Sequence, residues 1–247
     1  MLLCQGAESA ACLTASQVAA VKSGYAPAIS KTGGAIFPGL VPGFEFMWMM
    51  LMGQNTEPGG SNNVDLFKYA VYQDPDWDWR TVDIDRDVAV ADREIGYINA
   101  DNPDLSAFKA RGGKLIIYHG WNDGGNAGAI SPLNSIQYYS SILERMGPDQ
   151  SHWLRLFMMP GVAHCGLGPG PDQVDFLAAL ERWRESGLAP DSVLATRVQP
   201  PPSTRVYMTR PLCPFPQVAV TRASAARETS ATSRAVFSRH PLWPPAR

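Results

Sequence analysis

The strongest constraint on the fold is an alternation that begins at Lys114. A short apolar run, Lys114-Leu115-Ile116-Ile117-Tyr118, breaks on His119-Gly120-Trp121-Asn122-Asp123. A helical pattern over residues 135–146 follows. A second apolar run, Leu154-Arg155-Leu156-Phe157-Met158-Met159, breaks on Pro160-Gly161-Val162-Ala163-His164-Cys165-Gly166. A second helical pattern over residues 172–186 completes the series, with Phe176, Leu177, Leu180 and Trp183 on one face and Asp175, Arg182 and Glu185 on the other. Gly187 is its expected stop. Strand and helix in strict alternation argue for an α/β fold with parallel strands. Two strands are too few to make such a sheet, so the rest is expected from upstream sequence.

In open α/β sheets the ligand crevice lies outside the carboxyl ends of the strands. Both runs end there on glycine or proline, which lets a polar side chain stand at the strand end. An acid after one strand and a histidine after the next is the second half of a Ser…Asp…His triad. Asp123 and His164 have that context. The histidine of such a triad relays a proton between serine and leaving group, and the acid holds its tautomer and stabilises its charged form. His119 is the other candidate; it lies nearer the strand end and is expected to shape the loop by hydrogen bonding. No Gly-x-Ser-x-Gly occurs in the 247 residues. Zinc held by His119, Asp123, His164 and Cys165 would be a different chemistry, but no His-x-x-x-His or Cys-x-x-Cys spacing supports it. A third class drops catalysis and treats the chain as a binding module.

Composition bounds the partners. A net charge of −2 gives no electrostatic reason to expect nucleic acid or an anionic membrane. Hydrophobic residues at 45% and charged residues at 18% suit a globular chain with a proper core. The longest apolar run, residues 46–52, is far short of the ~20 residues a membrane span needs. The N-terminus has no basic segment and too short an apolar stretch for a signal peptide. Cys4 and Cys12 enclose a short polar loop and are expected to form a local disulfide, which implies an oxidising compartment. Cys165 and Cys213 have no obvious partners in the sequence.

Upstream, residues 13–22 read as a helix with Thr14 as N-cap and Gln17 three residues on, close to a capping box. Residues 26–63 are punctuated by Gly and Pro and are expected to form turns around an aromatic, methionine-rich stripe from Phe44 to Met52. Such a stripe suits an adaptable apolar pocket or ordinary core. Residues 63–72 are expected to be helical and to lead into the acidic, aromatic loop Asp74-Pro75-Asp76-Trp77-Asp78-Trp79-Arg80. Asp83, Asp85, Asp87 and Glu94 copy an EF-hand spacing, but Val88 stands where the sharp turn calls for glycine. A solvated acidic face opening a helix near Arg86 is expected instead. Residues 105–110 read as a short helix and residues 197–217 as an extended, proline-rich segment.

These motifs together resemble the tannase and feruloyl esterase family of α/β-hydrolases. The resemblance is carried by Cys4…Cys12-Leu13-Thr14, Ile36-Phe37-Pro38-Gly39-Leu40 and Asp74-Pro75-Asp76-Trp77-Asp78-Trp79-Arg80. It continues through Phe108-Lys109-Ala110-Arg111-Gly112-Gly113-Lys114-Leu115, the two strand-end motifs, and Arg210-Pro211-Leu212-Cys213-Pro214. It covers residues 3–218. It implies that Asp123 is the triad acid and His164 the base, and that the parent activity is hydrolysis of gallate-, ferulate- or terephthalate-like aromatic esters. It implies that Cys4 pairs with Cys12, that Cys165 pairs with a cysteine preceding the serine, and that Cys213 pairs with one near the family's C-terminus. Neither of the last two partners occurs here. The family's calcium site would lie before residue 1, so no metal or cofactor is expected in this chain. The loop after Asp123 is longer than the family's by Gly124-Gly125-Asn126-Ala127-Gly128.

The expected architecture is therefore α/β: the C-terminal part of an α/β-hydrolase parallel sheet plus most of an irregular lid domain. Residues 1–105 would be the lid, with Phe44, Phe46, Trp48, Trp77 and Trp79 as substrate-pocket candidates. Residues 106–197 would be the hydrolase part, 198–218 a closing segment, and 219–247 a disordered or frameshifted tail. As a fragment lacking the serine, the chain alone is expected to be inactive and poorly stable. Its parent would be a secreted or periplasmic serine esterase taking a small aromatic ester, with neither nucleic acid nor membrane as partner. The alternative is a non-catalytic binding module derived from such an esterase.

Overall fold

The computed structural model describes residues 3–43, 45, 64–124, 130–164 and 166–220. Phe44, Phe46, Trp48, Cys165 and the tail from residue 221 onward lie outside them. The chain divides into two compact units, Met1–Ala100 with Gly124–Asn134, and Asp101–Asp123 with Ser135–Arg247.

The first unit is irregular. Cys4 and Cys12 form a disulfide with their Cα atoms 5.0 Å apart. Helix α1 (Ala15–Tyr25) starts just after Thr14, whose hydroxyl accepts the Gln17 N–H at 3.2 Å while the Gln17 side chain accepts the Thr14 N–H at 2.8 Å. The expected capping box is thus closed, satisfying two amide donors that a helix start otherwise leaves unpaired. Strands β1 (Ala28–Ile29) and β2 (Ala35–Phe37) make a small antiparallel pair. Where a regular helix was expected over residues 63–72, the backbone widens into a π-helical turn, Leu66–Val71. Helix α2 (Ile84–Ile95) is capped by the Asp83 side chain, which accepts the Arg86 N–H.

The acidic segment is less solvated than its composition suggests. Asp83 and Asp85 do face solvent, paired with Lys31, but Asp87 is only 1% exposed. It turns inward because three donors meet it. The Tyr72 hydroxyl donates at 2.5 Å, the Arg86 Nη2–H at 2.9 Å and the Asp83 N–H at 3.0 Å. The Arg86 guanidinium above all, with the Tyr72 hydroxyl and Asp83 N–H, outweighs burial and lowers the Asp87 pKa from 3.8 to about 2. A carboxyl depressed on folding contributes stability that is complete above its unfolded value and is lost as pH falls through its folded one. Asp87→Asn is therefore expected to destabilise the first unit at neutral pH, with the deficit shrinking between 3.8 and about 2. Near-UV circular dichroism during acid and urea titrations reads this; a deficit independent of pH would contradict it.

The second unit carries the α/β core. Helix α3 (Ser106–Ala110) precedes β3 (Leu115–Gly120), and β4 (Leu154–Met159) runs parallel to it with Leu115 opposite Leu154 and Gly120 opposite Met159. Between them runs α4 (Pro132–Met146), which enters this unit at Ser135. The period of two along each strand sorts side chains to two faces. Ile116, Phe157 and Met159 pack with Val162, Ala179, Val193, Ala195 and Leu212. Leu115, Ile117 and Leu154 pack on the other side with Ile142, Trp153 and Phe108. With both faces covered, β4 is buried almost throughout, as strands of parallel sheets are.

Helix α5 (Phe176–Ser186) is shorter than expected because Asp175 caps it, accepting the Ala178 N–H at 2.8 Å. Gly187 ends it in the left-handed region, φ 73°. Its buried residues are Ala179 and Trp183, whereas Leu177 is 66% exposed. The spacing 176, 179, 180, 183 defines one helical face, and Leu177 stands about 100° away from it. The proline-rich segment is more regular than expected. Strand β6 (Val206–Leu212) pairs antiparallel with β5 (Val193–Val198), and beyond it the Phe215 N–H donates to the Leu156 carbonyl at 2.7 Å. Phe157 thus has Tyr118 on one side and Pro214 on the other, so the closing segment lines the edge of β4 away from β3.

Candidate active site

The loops after β3 and β4 are held together by their backbones. The Trp121 N–H donates to the Met159 carbonyl and the Asn122 N–H to the Val162 carbonyl, both at 2.9 Å. The Asn122 side-chain oxygen accepts the Gly161 N–H at 2.9 Å. Gly161 has φ 78°, a left-handed turn glycine adopts without strain, and it bends the chain back after Pro160. Arg210 on β6 donates to the Pro160 carbonyl at 2.8 Å. Gly120 permits the approach: a Cβ there would lie 2.4 Å from the Val162 oxygen and 3.0 Å from the Ala163 oxygen.

This scaffold brings Asp123 and His164 together. His164 Nδ1 lies 3.2 Å from Asp123 Oδ2. The aspartate side chain is 7% exposed and the histidine 39%, so the acid is buried and the base reaches solvent. With Nδ1 engaged by the carboxylate, the opposite ring nitrogen is the one placed to exchange a proton. His119 joins the same group. Its Nε2 is also 3.2 Å from Asp123 Oδ2, and its Nδ1 is 2.7 Å from Ser135 Oγ. Both imidazoles therefore hydrogen bond to one carboxylate oxygen. The sequence indicated His119 as a loop-shaping residue. Ser135 carried no signal of its own, since only the fold places the start of α4 beside it.

Cys213 is a buried free thiol whose pKa burial pushes up. Trp77 stacks on Phe67 and Tyr72, with ring centroids 5.3 and 5.5 Å away. The Trp79 ring lies under the Arg80 guanidinium at 4.8 Å. Among the described residues no helix is long and apolar enough to cross a membrane.

A buried aspartate and a more exposed histidine are thus hydrogen bonded at the carboxyl ends of neighbouring parallel strands. Residues 1–235 match the family model of tannase and feruloyl esterase. The chain belongs to that family. It is 35% identical over 270 aligned residues to an uncharacterized esterase of Xanthomonas campestris pv. campestris, covering 89% of this chain and 46% of that protein. It is 41% identical over 140 residues to the mono(2-hydroxyethyl) terephthalate hydrolase of Piscinibacter sakaiensis, covering 56% of this chain and 22% of that one. The crystal structure of feruloyl esterase B from Aspergillus oryzae aligns with a TM-score of 0.78 at 28% identity, over 88% of this chain and 46% of that one. The chain thus spans less than half the length of these relatives.

Proposed function

We propose that this chain carries the acid and base of a Ser-Asp-His esterase acting on aromatic carboxylic esters of the gallate, ferulate or terephthalate type. The observation that carries the reading is the Asp123–His164 hydrogen bond at 3.2 Å at adjacent strand ends. In the proposed reaction a serine hydroxyl attacks the ester carbonyl while His164 takes its proton. His164 then passes that proton to the departing alcohol. The acyl-enzyme is hydrolysed by a water that His164 deprotonates in turn. Asp123 holds the imidazole in the productive tautomer and stabilises its cation.

No Gly-x-Ser-x-Gly is present among these residues, so the 247-residue chain is proposed to be silent by itself. Phe44, Phe46, Trp48, Trp77 and Trp79 are proposed contacts for the aromatic acyl group. No metal is assigned to the chain: Asp83 and Asp85 are engaged by Lys31, and Asp87 by Arg86 and Tyr72. The Cys4–Cys12 disulfide supports folding in an oxidising compartment, and with it secretion of the parent protein.

The test is hydrolysis of methyl ferulate, methyl gallate and a p-nitrophenyl ester. The purified chain is assayed alone and after co-refolding with the portion of the Xanthomonas esterase that it does not match. Silence alone and turnover in the reconstituted protein are expected. Turnover by the chain alone that His164→Ala abolishes would place the nucleophile within these residues and overturn the proposal for the isolated chain.

A further inference from the structure

We infer that His119 and Ser135 form a positioning relay behind Asp123, which fixes the acid for His164. This rests on the assignment of Asp123 and His164 as acid and base. It adds two residues that touch neither substrate nor reacting atoms.

The protonation pattern follows from donor counting. An ionised carboxylate only accepts, so His119 Nε2 and His164 Nδ1, each 3.2 Å from Asp123 Oδ2, must both donate. A neutral His119 that donates from Nε2 has an acceptor at Nδ1, and Ser135 Oγ stands 2.7 Å from it, the usual length for a hydroxyl donor. The chain of donation is then Ser135 O–H to His119 Nδ1, and His119 Nε2–H to Asp123. Ser135 lies in the first turns of α4, where a serine hydroxyl can instead bond back to the preceding turn. Here it meets the ring.

A hydroxyl donating to Nδ1 holds the His119 ring in the tautomer that donates from Nε2 toward Asp123. His119 is itself fixed in β3 and its side chain is 13% exposed, whereas Asp123 lies in the turn beyond the strand. The relay therefore ties a turn residue to the rigid sheet. Both distances to Oδ2 exceed the ~2.7–2.9 Å of an unshared charge-assisted bond, as expected where two donors divide one oxygen.

The experiment uses the full chain labelled with 15N and long-range 1H–15N correlation of its imidazoles. Histidines number four, so each is assigned by substitution. The expected spectrum has His119 in the Nε2–H tautomer and His164 in the Nδ1–H tautomer. His119→Ala should replace the single His164 tautomer with an averaged pattern. His119→Gln, whose amide can donate to the same carboxylate, should restore it. Ser135→Ala should cost His119 its single tautomer, and this arm stands even if His119→Ala fails to fold. A purely structural role for His119 would not predict rescue by glutamine. An unchanged His164 pattern in folded His119→Ala, or an Nδ1–H tautomer of His119 in the unsubstituted chain, would overturn the relay. Asp123→Asn separates the two claims. If it alters His164 while His119→Ala does not, the acid–base pair stands and the relay falls. If it leaves His164 unchanged, the pair itself falls and takes the relay with it.

Discussion

Asp123→Asn is expected to lower kcat of the reconstituted esterase about 10⁴-fold while leaving ester binding nearly intact, the size of effect seen when a triad acid becomes an amide. The reason is the direction of the hydrogen bond. Asp123 can only accept, so it selects the His164 tautomer with hydrogen on Nδ1 and the basic lone pair on the opposite nitrogen. An asparagine amide can present N–H instead, which selects the opposite tautomer and leaves no basic nitrogen for the proposed serine's proton. The loss of charge matters as well. A nearly buried carboxylate beside a nascent imidazolium stabilises it more than a solvated one does. A rise in KM with kcat unchanged would instead mean that Asp123 serves binding alone.

Gly120→Ala should be strongly destabilising for the second unit. Gly120 is not in a left-handed conformation; it is required because backbone atoms of the neighbouring loop occupy the place of a side chain. The added carbon would sit 2.4 Å from the Val162 oxygen and 2.9 Å from its carbonyl carbon. A flexible side chain could move aside, but a main-chain carbonyl moves only with its loop. The loop in question carries His164. Overpacking typically costs about 1–3 kcal/mol, and a rigid backbone contact belongs at the upper end. A melting point lowered by roughly 6–12 °C follows for a unit of this size. The Asn122–Val162 and Asn122–Gly161 hydrogen bonds should open with it, so residual turnover at a temperature where the variant is still folded should also fall. Gly6→Ala is the control, because nothing lies within 4 Å of the added carbon. Equal melting points for the two variants would contradict the close approach.

The β3–β4 segment was legible because its signals are local. Each strand is a short, largely apolar run, and each ends on a motif in which glycine or proline must turn the chain. That placed Asp123 and His164 at strand ends before any contact was known. Thr14 with Gln17, and Gly187 after α5, were equally readable because caps depend on residues a turn apart. The tertiary choices were not legible. Asp87 carries the same composition signal as Asp83 and Asp85, yet only it meets Tyr72 and Arg86 and turns inward. Leu177 is as apolar as Leu180 but lies off the face the sheet covers. Strand β5 has the β-branched character of Val193, Thr196 and Val198, but the prolines that follow obscured the hairpin it makes with β6. The sharing of one Asp123 oxygen by two imidazoles depends on how the loops after β3 and β4 meet, and no spacing in the chain encodes that directly.

The central claim is that His164 is the base of an esterase triad. Its most direct test is kcat/KM for methyl ferulate in the reconstituted protein, with His164→Ala measured beside His152→Ala. Loss of about 10³-fold or more is expected for His164→Ala, and little change for His152→Ala, whose histidine lies in the turn before β4, away from the strand-end loops. Turnover of His164→Ala equal to the unsubstituted protein would contradict it.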